Sequence, residues 1–269
     1  MKKKPIFPLL LGLLLLLIFV LMSVRPALFT AYGQKEQFTQ WLKPSAEHLL
    51  GTNAMGYDVW TELVCAAKET LYVGLASSVL CLALGTLIGV LSVRKGFVGA
   101  VFNGLINVFV LLPRLICLIV LSGFLGSSRQ NLIALISAFN WVGIARNVRA
   151  KVVHIHEQPF MEALTIQGFS RFHIVLHHVL PNLSDVLLSR FLLGVNSCIM
   201  LESTLSFLGF GDLYHPSWGT MINFAYKRGA FLRGAYGYLL SPGACIVLLS
   251  LSFYFVSLWF EDRQNSVED

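Results

Sequence analysis

The chain has 269 residues, of which 56% are hydrophobic and only 13% charged, and its mean hydropathy is +0.71. Soluble domains are about 25% charged, and a soluble fold of this length cannot hide so much apolar side chain. A secreted or cytosolic enzyme is therefore excluded, and the net charge of +6 reads as the basic bias of membrane-protein loops rather than as a nucleic-acid surface. At about 20 apolar residues per span, the length accommodates about six spans plus loops.

The first apolar run, Ile6 to Val24, follows Lys2-Lys3-Lys4. It exceeds a signal-peptide core, and no small-x-small cleavage site follows before Arg25-Pro26. The sequence thus predicts an uncleaved first transmembrane helix within residues 1–29. Residues 30–65 are polar, with Gly, Pro and Asn, and are read as an external loop. The second run, Thr70 to Val93, has no charge and ends at the turn Arg94-Lys95-Gly96. The third, Phe97 to about Leu125, is interrupted at Pro113-Arg114. After Ser127-Ser128-Arg129 the fourth runs from Gln130 to Ala145.

Residues 147–181 carry Arg149, Lys151, Glu157, Glu162, Arg171 and five histidines, and are too polar to span. The fifth run, about Leu183 to Gly209, holds Asp185, Arg190 and Glu202. Phe210 to Ala235 reads as a second external loop, and Tyr236 to Phe260 as the sixth run. Residues 261–269 form a short polar tail. Six spans place both termini in the cytoplasm. The short basic elements Lys2–Lys4, Arg94-Lys95 and Arg146–Lys151 fix that orientation. The five cysteines are scattered and form no C-x-x-C pair, so neither a disulfide nor a metal is expected there.

A connector between spans needs only a few residues, whereas 147–181 has about 35 and is patterned. Pro159 suits a first helical turn. Phe160, Met161, Leu164 and Ile166 then make an apolar patch at helical spacing. Gly168 breaks the pattern, Ser170 can cap a second helix, and Pro181 ends it. Two short helices with exposed apolar residues form a docking surface; the alternative is an interfacial helix lying on lipid.

Glu162-Ala163-Leu164, Gly168 and Val179-Leu180-Pro181 together resemble the EAA loop of ABC importer permeases. The run Leu201 to Gly211 with Pro216-Ser217-Trp218-Gly219 is similar to the dipeptide/oligopeptide/nickel permease family, as is Leu50 to Val59. The resemblance is to the C-type subunit and covers about residues 45 to 260. This chain departs from the family pattern at Leu164, Asn53, Tyr57 and Asn107, and in its shortened tail.

The resemblance implies an all-α membrane protein with the type I ABC importer permease fold: a core over 66–260 of five further spans, with 147–181 as the coupling loop. It implies a transport subunit for small peptides or, alternatively, for nickel or a metal chelate. The expected partners are a B-type permease subunit, two cytoplasmic ATP-binding subunits, an extracytoplasmic solute-binding protein and membrane lipid. No cofactor is expected. The chain has no G-x-x-x-x-G-K-[ST] with which to cradle a phosphate, so the energy must come from a partner. By analogy Phe160, Met161, Glu162, Ala163, Leu164 and Gly168 meet the ATPase. Trp218 and Gly219 belong to an external loop that either docks the binding protein or shapes the outer vestibule.

Arg114 and Glu202 lie inside spans, where a charge costs about 2.5–3.5 kcal/mol on insertion scales. At about 1.5 Å per residue they lie roughly 26 and 28 Å from their inner ends. Pairing or a shared gate is the sharp reading. Snorkelling by Arg114 and satisfaction of backbone groups by Glu202 is the plain one. His154-x-His156-Glu157 and His177-His178 contain metal-ligating residue types. They fall on the cytoplasmic side, where solvated or interface histidines are expected. No H-E-x-x-H and no G-x-S-x-G beside a base is present, so no catalytic residue is assigned.

Overall fold

The computed structural model describes residues 6–268. The side chains of Thr165, Arg171, Phe172, Asp185 and residues 261–269 lie outside that description. Lys2–Lys4, on which part of the orientation argument rests, are likewise outside it.

Among the described residues the regular elements are all helices, with one isolated bridge between Thr52 and Asp58 in the otherwise irregular segment 29–58. Helix α1 covers Ile6–Val24 and is apolar all round, burying only Gly12, Phe19 and Met22. Helix α2, Val59–Leu91, has 33 residues. At about 1.5 Å per residue it is some 50 Å long and overshoots a hydrocarbon core of about 30 Å. Asp58 caps it, its Oδ2 accepting from the Thr61 N–H at 2.8 Å.

Helices α3 (Phe97–Leu111) and α4 (Arg114–Leu125) are one apolar run bent by 89°. The cause is Pro113. It forces Leu112 out of the helical region, to ψ 130°, and it donates no N–H. Helices α5 (Arg129–Asn140) and α6 (Val142–His156) divide the fourth expected run at Trp141. α6 then continues through the charged residues up to His156. Polarity marked where the chain leaves apolar surroundings, not where the helix stops.

α7 (Pro159–Ile166) is followed by α8 (Arg171–Ile174), a π-turn over Val175–Val179, α9 (Leu180–Asn182) and α10 (Ser184–Leu205). The second loop helix was expected to end at Pro181. Instead Pro181 sits in the first turn of α9, where its missing N–H costs nothing, and Leu183 N–H bonds the carbonyls of Val179 and Leu180. α11 (Trp218–Lys227) and α12 (Tyr236–Glu268) complete the chain.

Among the described residues, four helical segments are long and apolar enough to cross a membrane, and the bent α3–α4 pair makes five. The one expected span not among these is the fourth, the divided α5–α6 run, whose 12- and 15-residue pieces are each too short to qualify. Two apolar clusters hold the bundle. One joins α1, the first half of α2, α10, α11 and α12 around Val59, Val195, Ile199, Trp218 and Leu249. The other joins the second half of α2 with α5 and α6 around Cys81, Ile136, Ala145 and Val148, and reaches Met161 and Val179. The bundle therefore has two ends, one at Asp58 and Trp218, the other at Leu91 and α7.

Candidate functional site

At the Leu91 end, α7 presents two faces. Met161 is 6% exposed and lies in the same cluster as Ile155, Ile174 and Val179. Leu164 is partly buried against that cluster. Phe160, Glu162, Ala163 and Ile166 face outward, with Ile166 86% exposed. The single patch expected from spacing is therefore split: Met161 and Leu164 anchor α7, and Phe160 and Ile166 are free to meet something else. Gly168 stops the helix with a φ of +80°, the left-handed conformation glycine adopts without strain. The Phe169 N–H closes this end on the Leu164 carbonyl at 3.3 Å. Ser170 Oγ then accepts from the His173 N–H at 3.2 Å and starts the next helix.

The histidines near this end bind locally. His156 Nδ1 meets the Val152 carbonyl at 2.7 Å, and His173 stacks on His177 with ring centroids 4.2 Å apart. Among the described residues no group of three His, Cys, Asp or Glu could hold a metal ion.

Arg114 and Glu202 do not pair. Arg114 is exposed in the first turn of α4, and its Nη1 donates to Asn140 Oδ1 at 2.8 Å. The same oxygen accepts from Ser197 Oγ at 3.1 Å, while Asn140 Nδ2 donates to Cys198 Sγ at 3.3 Å. Asn140 is thus a hub between α4, α5 and α10. Sequence reasoning passed over it; its signal was an amide at the end of an apolar run.

Glu202 is 1% exposed. Its Oε1 accepts from Ser206 Oγ at 2.6 Å and its Oε2 from Ser203 Oγ at 3.3 Å. Ser217, the N-cap of α11, also faces it. A carboxylate beside a helix N-terminus gains from the peptide dipoles there. Trp218 and Gly219, expected in a loop, open α11 and are buried. Trp218 donates Nε1–H to the Leu63 carbonyl at 2.8 Å and N–H to Thr70 Oγ1 at 3.1 Å. A Cβ on Gly219 would lie 2.6 Å from the Ser203 carbonyl, so glycine is what lets α11 touch α10. The segment became a helix because Ser217 caps it, accepting from the Thr220 N–H.

Next to this lock, Arg129 Nη1 lies 3.6 Å from Glu69 Oε2, and its backbone N–H donates to Asp212 Oδ2 at 3.2 Å. Burial raises the Asp212 carboxyl, but hydrogen bonds from His215 and from the Tyr214 and Arg129 N–H groups outweigh it and hold it below its ordinary value. In the segment before α2, Asn53 Oδ1 accepts the Met55 and Tyr57 N–H groups, while its Nδ2 donates to Glu62 Oε2 at 2.7 Å. An aspartate there could serve the turn but would have no proton for Glu62.

A bundle of apolar helices with a broken span and a short helix anchored by one face has the architecture of a transport permease domain. The family described as binding-protein-dependent transport system inner membrane component matches residues 82–266. The chain is 30% identical over 246 residues to the dipeptide transport system permease protein DppC of Alkalihalophilus pseudofirmus, covering 90% of this chain and 80% of that protein. It is 31% identical to DppC of Bacillus subtilis, covering 95% and 79%. A putative peptide permease protein of Brucella suis is 32% identical, covering 79% and 71%. A solved structure of the MetNI methionine ABC transporter in inward facing conformations matches with a TM-score of 0.57 at 19% identity, covering 76% of this chain and 95% of that one.

The chain belongs to the binding-protein-dependent permease family. It is a multi-pass cell-membrane permease subunit of an ABC importer with the type I fold. Such a permease works with ATP-binding subunits, a partner permease and a binding protein.

Proposed function

We propose that this chain forms half of the translocation path for small peptides and takes its driving force from separate ATPase subunits through α7. The peptide assignment is carried by the relatives, which are named as dipeptide or peptide permeases over most of their length. The coupling assignment is supported by the two faces of α7. Met161 fixes the helix to the bundle, so a push on Phe160, Glu162 or Ala163 moves the cluster behind it as a body. Gly168 sets the turn into the next helix.

In this reading the α7 end and both termini are cytoplasmic. The Asp58–Trp218 end is external and receives the solute-binding protein. Glu202, Trp218 and Gly219 hold the external ends of α10, α11 and α2 together, and Arg114 stands at the break in the path.

The deciding experiment is uptake of labelled dipeptide, longer peptide and nickel by cells lacking this chain. Loss of peptide uptake with nickel uptake retained is expected. Loss of nickel uptake alone overturns the peptide assignment. Deleting residues 159–168 is expected to abolish co-purification of the ATPase while the spans still insert.

A further inference from the structure

A cavity of about 460 Å³ opens between α3 and α6, within the roughly 300–1,000 Å³ range of small-ligand sites. Its polar lining is Asn103 and Asn107 from α3 and Arg146 and Arg149 from α6. Ile106 and Val153 supply apolar wall. No carboxylate lines it. Arg149 donates Nη1–H to the Ser92 carbonyl, which holds it in place. Arg146 is exposed and has no hydrogen bond or ion pair among the described residues. Two guanidinium groups without an acid repel a free metal cation or an ammonium group, and attract an oxyanion.

The cavity's place in the fold is informative. Asn107 is one helical turn before Leu111, where α3 ends at the 89° break. Irregular backbone at membrane depth is tolerated only against protein or a water-filled path. Leu111, Pro113 and Arg114 are exposed in this chain. The break therefore faces the partner permease or the path between the two, and the cavity lies along the same helix toward the α7 end.

We propose that the α3–α6 cavity is an oxyanion site on the cytoplasmic half of the translocation path, and that it takes the terminal carboxylate of a small peptide. The inference rests on the peptide reading above. Arg146 supplies the free, forked donor; Arg149 adds fixed charge. Asn103 and Asn107, which can both donate and accept, match the amide bond next to that carboxylate. The site favours a free-acid peptide over one whose C-terminus is amidated.

The test uses the purified permease–ATPase complex, nucleotide-free and without binding protein, in neutral phosphatidylcholine nanodiscs. The probes are alanyl-alanine and alanyl-alanine amide, with binding followed by ligand-observed NMR. The free acid is expected to bind about tenfold or more tightly than the amide, as for one charge-assisted contact. Arg146→Gln is expected to erase that preference and Arg146→Lys to keep part of it. If Arg146→Gln fails to assemble, Asn107→Asp, which places an acid beside both arginines, is expected to erase the preference as well. Equal binding of the two probes, no binding at about 10 mM, or a preference that survives the variants overturns the inference. Displacement of the dipeptide by added phosphatidylglycerol would make the cavity a lipid headgroup site and overturns it too. Uptake of the same dipeptide by cells separates the two readings. Uptake without a carboxylate preference sinks this inference alone, whereas uptake of neither this dipeptide nor a longer peptide sinks both.

Discussion

Arg114 Nη1 and Asn140 Oδ1 lie 2.8 Å apart, joining the first turn of α4, just after the break in the third apolar run, to the last turn of α5. Asn140 is 7% exposed, and Ser197 shares its oxygen. Asn140→Leu removes an acceptor from two donors at once. The expected cost is about 1–3 kcal/mol, seen as a lower apparent melting temperature of the purified complex. Asn140→Asp keeps the acceptor and is expected to fall well short of that loss. Equal damage from both substitutions would show that the amide proton toward Cys198 is the contact that counts.

Glu202 and Gly219 hold α10 against α11 by different physics, so their substitutions separate. Glu202→Leu leaves Ser206 and Ser203 hydroxyls without their buried acceptor, at about 1–3 kcal/mol. Glu202→Gln retains an oxygen for Ser206 and is expected to cost less. Gly219→Ala drives a methyl into the Ser203 carbonyl and Cα, which lie 2.6 and 2.7 Å from the added carbon. Backbone must move, at about 1–3 kcal/mol. Faster amide exchange over 206–220 in Gly219→Ala and Glu202→Leu, with exchange in α1 unchanged, is the expected signature.

The sequence made some of these relationships legible and hid others for definite reasons. The break at Pro113 could be read directly, because a missing N–H and a restricted Leu112 act locally. Gly168 and Ser170 were legible on the same ground. The division at Trp141 was not, since Trp141 itself keeps helical dihedrals and no Pro or Gly stands at that position. The helix through Pro181 was hidden because the π-turn before it resets the hydrogen-bond register. Trp218 looked like loop aromatic surface, yet its partners Leu63 and Thr70 are about 150 residues away in the chain. Arg114 and Glu202 were found as charges in spans, but depth alone could not say which groups each one faces.

The Asp212 carboxylate carries a pH dependence of known sign. Its folded value lies below its ordinary one because His215 and two backbone N–H groups donate to it. Such a group adds stability that is full above the unfolded value of about 3.9 and is lost as pH falls through the folded value. The tie between the start of α5 and the segment after α10 is therefore expected to hold at neutral pH and to loosen below about pH 4. Asp212→Asn is expected to be less stable than the wild type at pH 7 and to show a flatter decline on acidification. Parallel melting curves from pH 7 to pH 3.5 would remove Asp212 from the account.

The two faces of α7 give the sharpest division between folding and coupling. Met161 is 6% exposed in a cluster with Ile155, Ile174 and Val179. Met161→Ala therefore opens a cavity and is expected to cost about 2–5 kcal/mol, lowering the melting temperature of the permease whether or not ATPase subunits are present. Phe160 is 41% exposed and Ala163 is exposed, so neither is needed to fill that cluster. Phe160→Ala and Ala163→Trp are expected to leave the permease's own melting temperature within about 0.5 kcal/mol equivalent of the wild type. Both should cut ATPase co-purification by about tenfold, Phe160→Ala by losing an apolar anchor and Ala163→Trp by blocking close approach. A melting profile of the isolated permease, set beside a pull-down of the ATPase, reads both quantities from one preparation. If Met161→Ala and Ala163→Trp fail together in both measurements, α7 has no free docking face and the coupling assignment is lost.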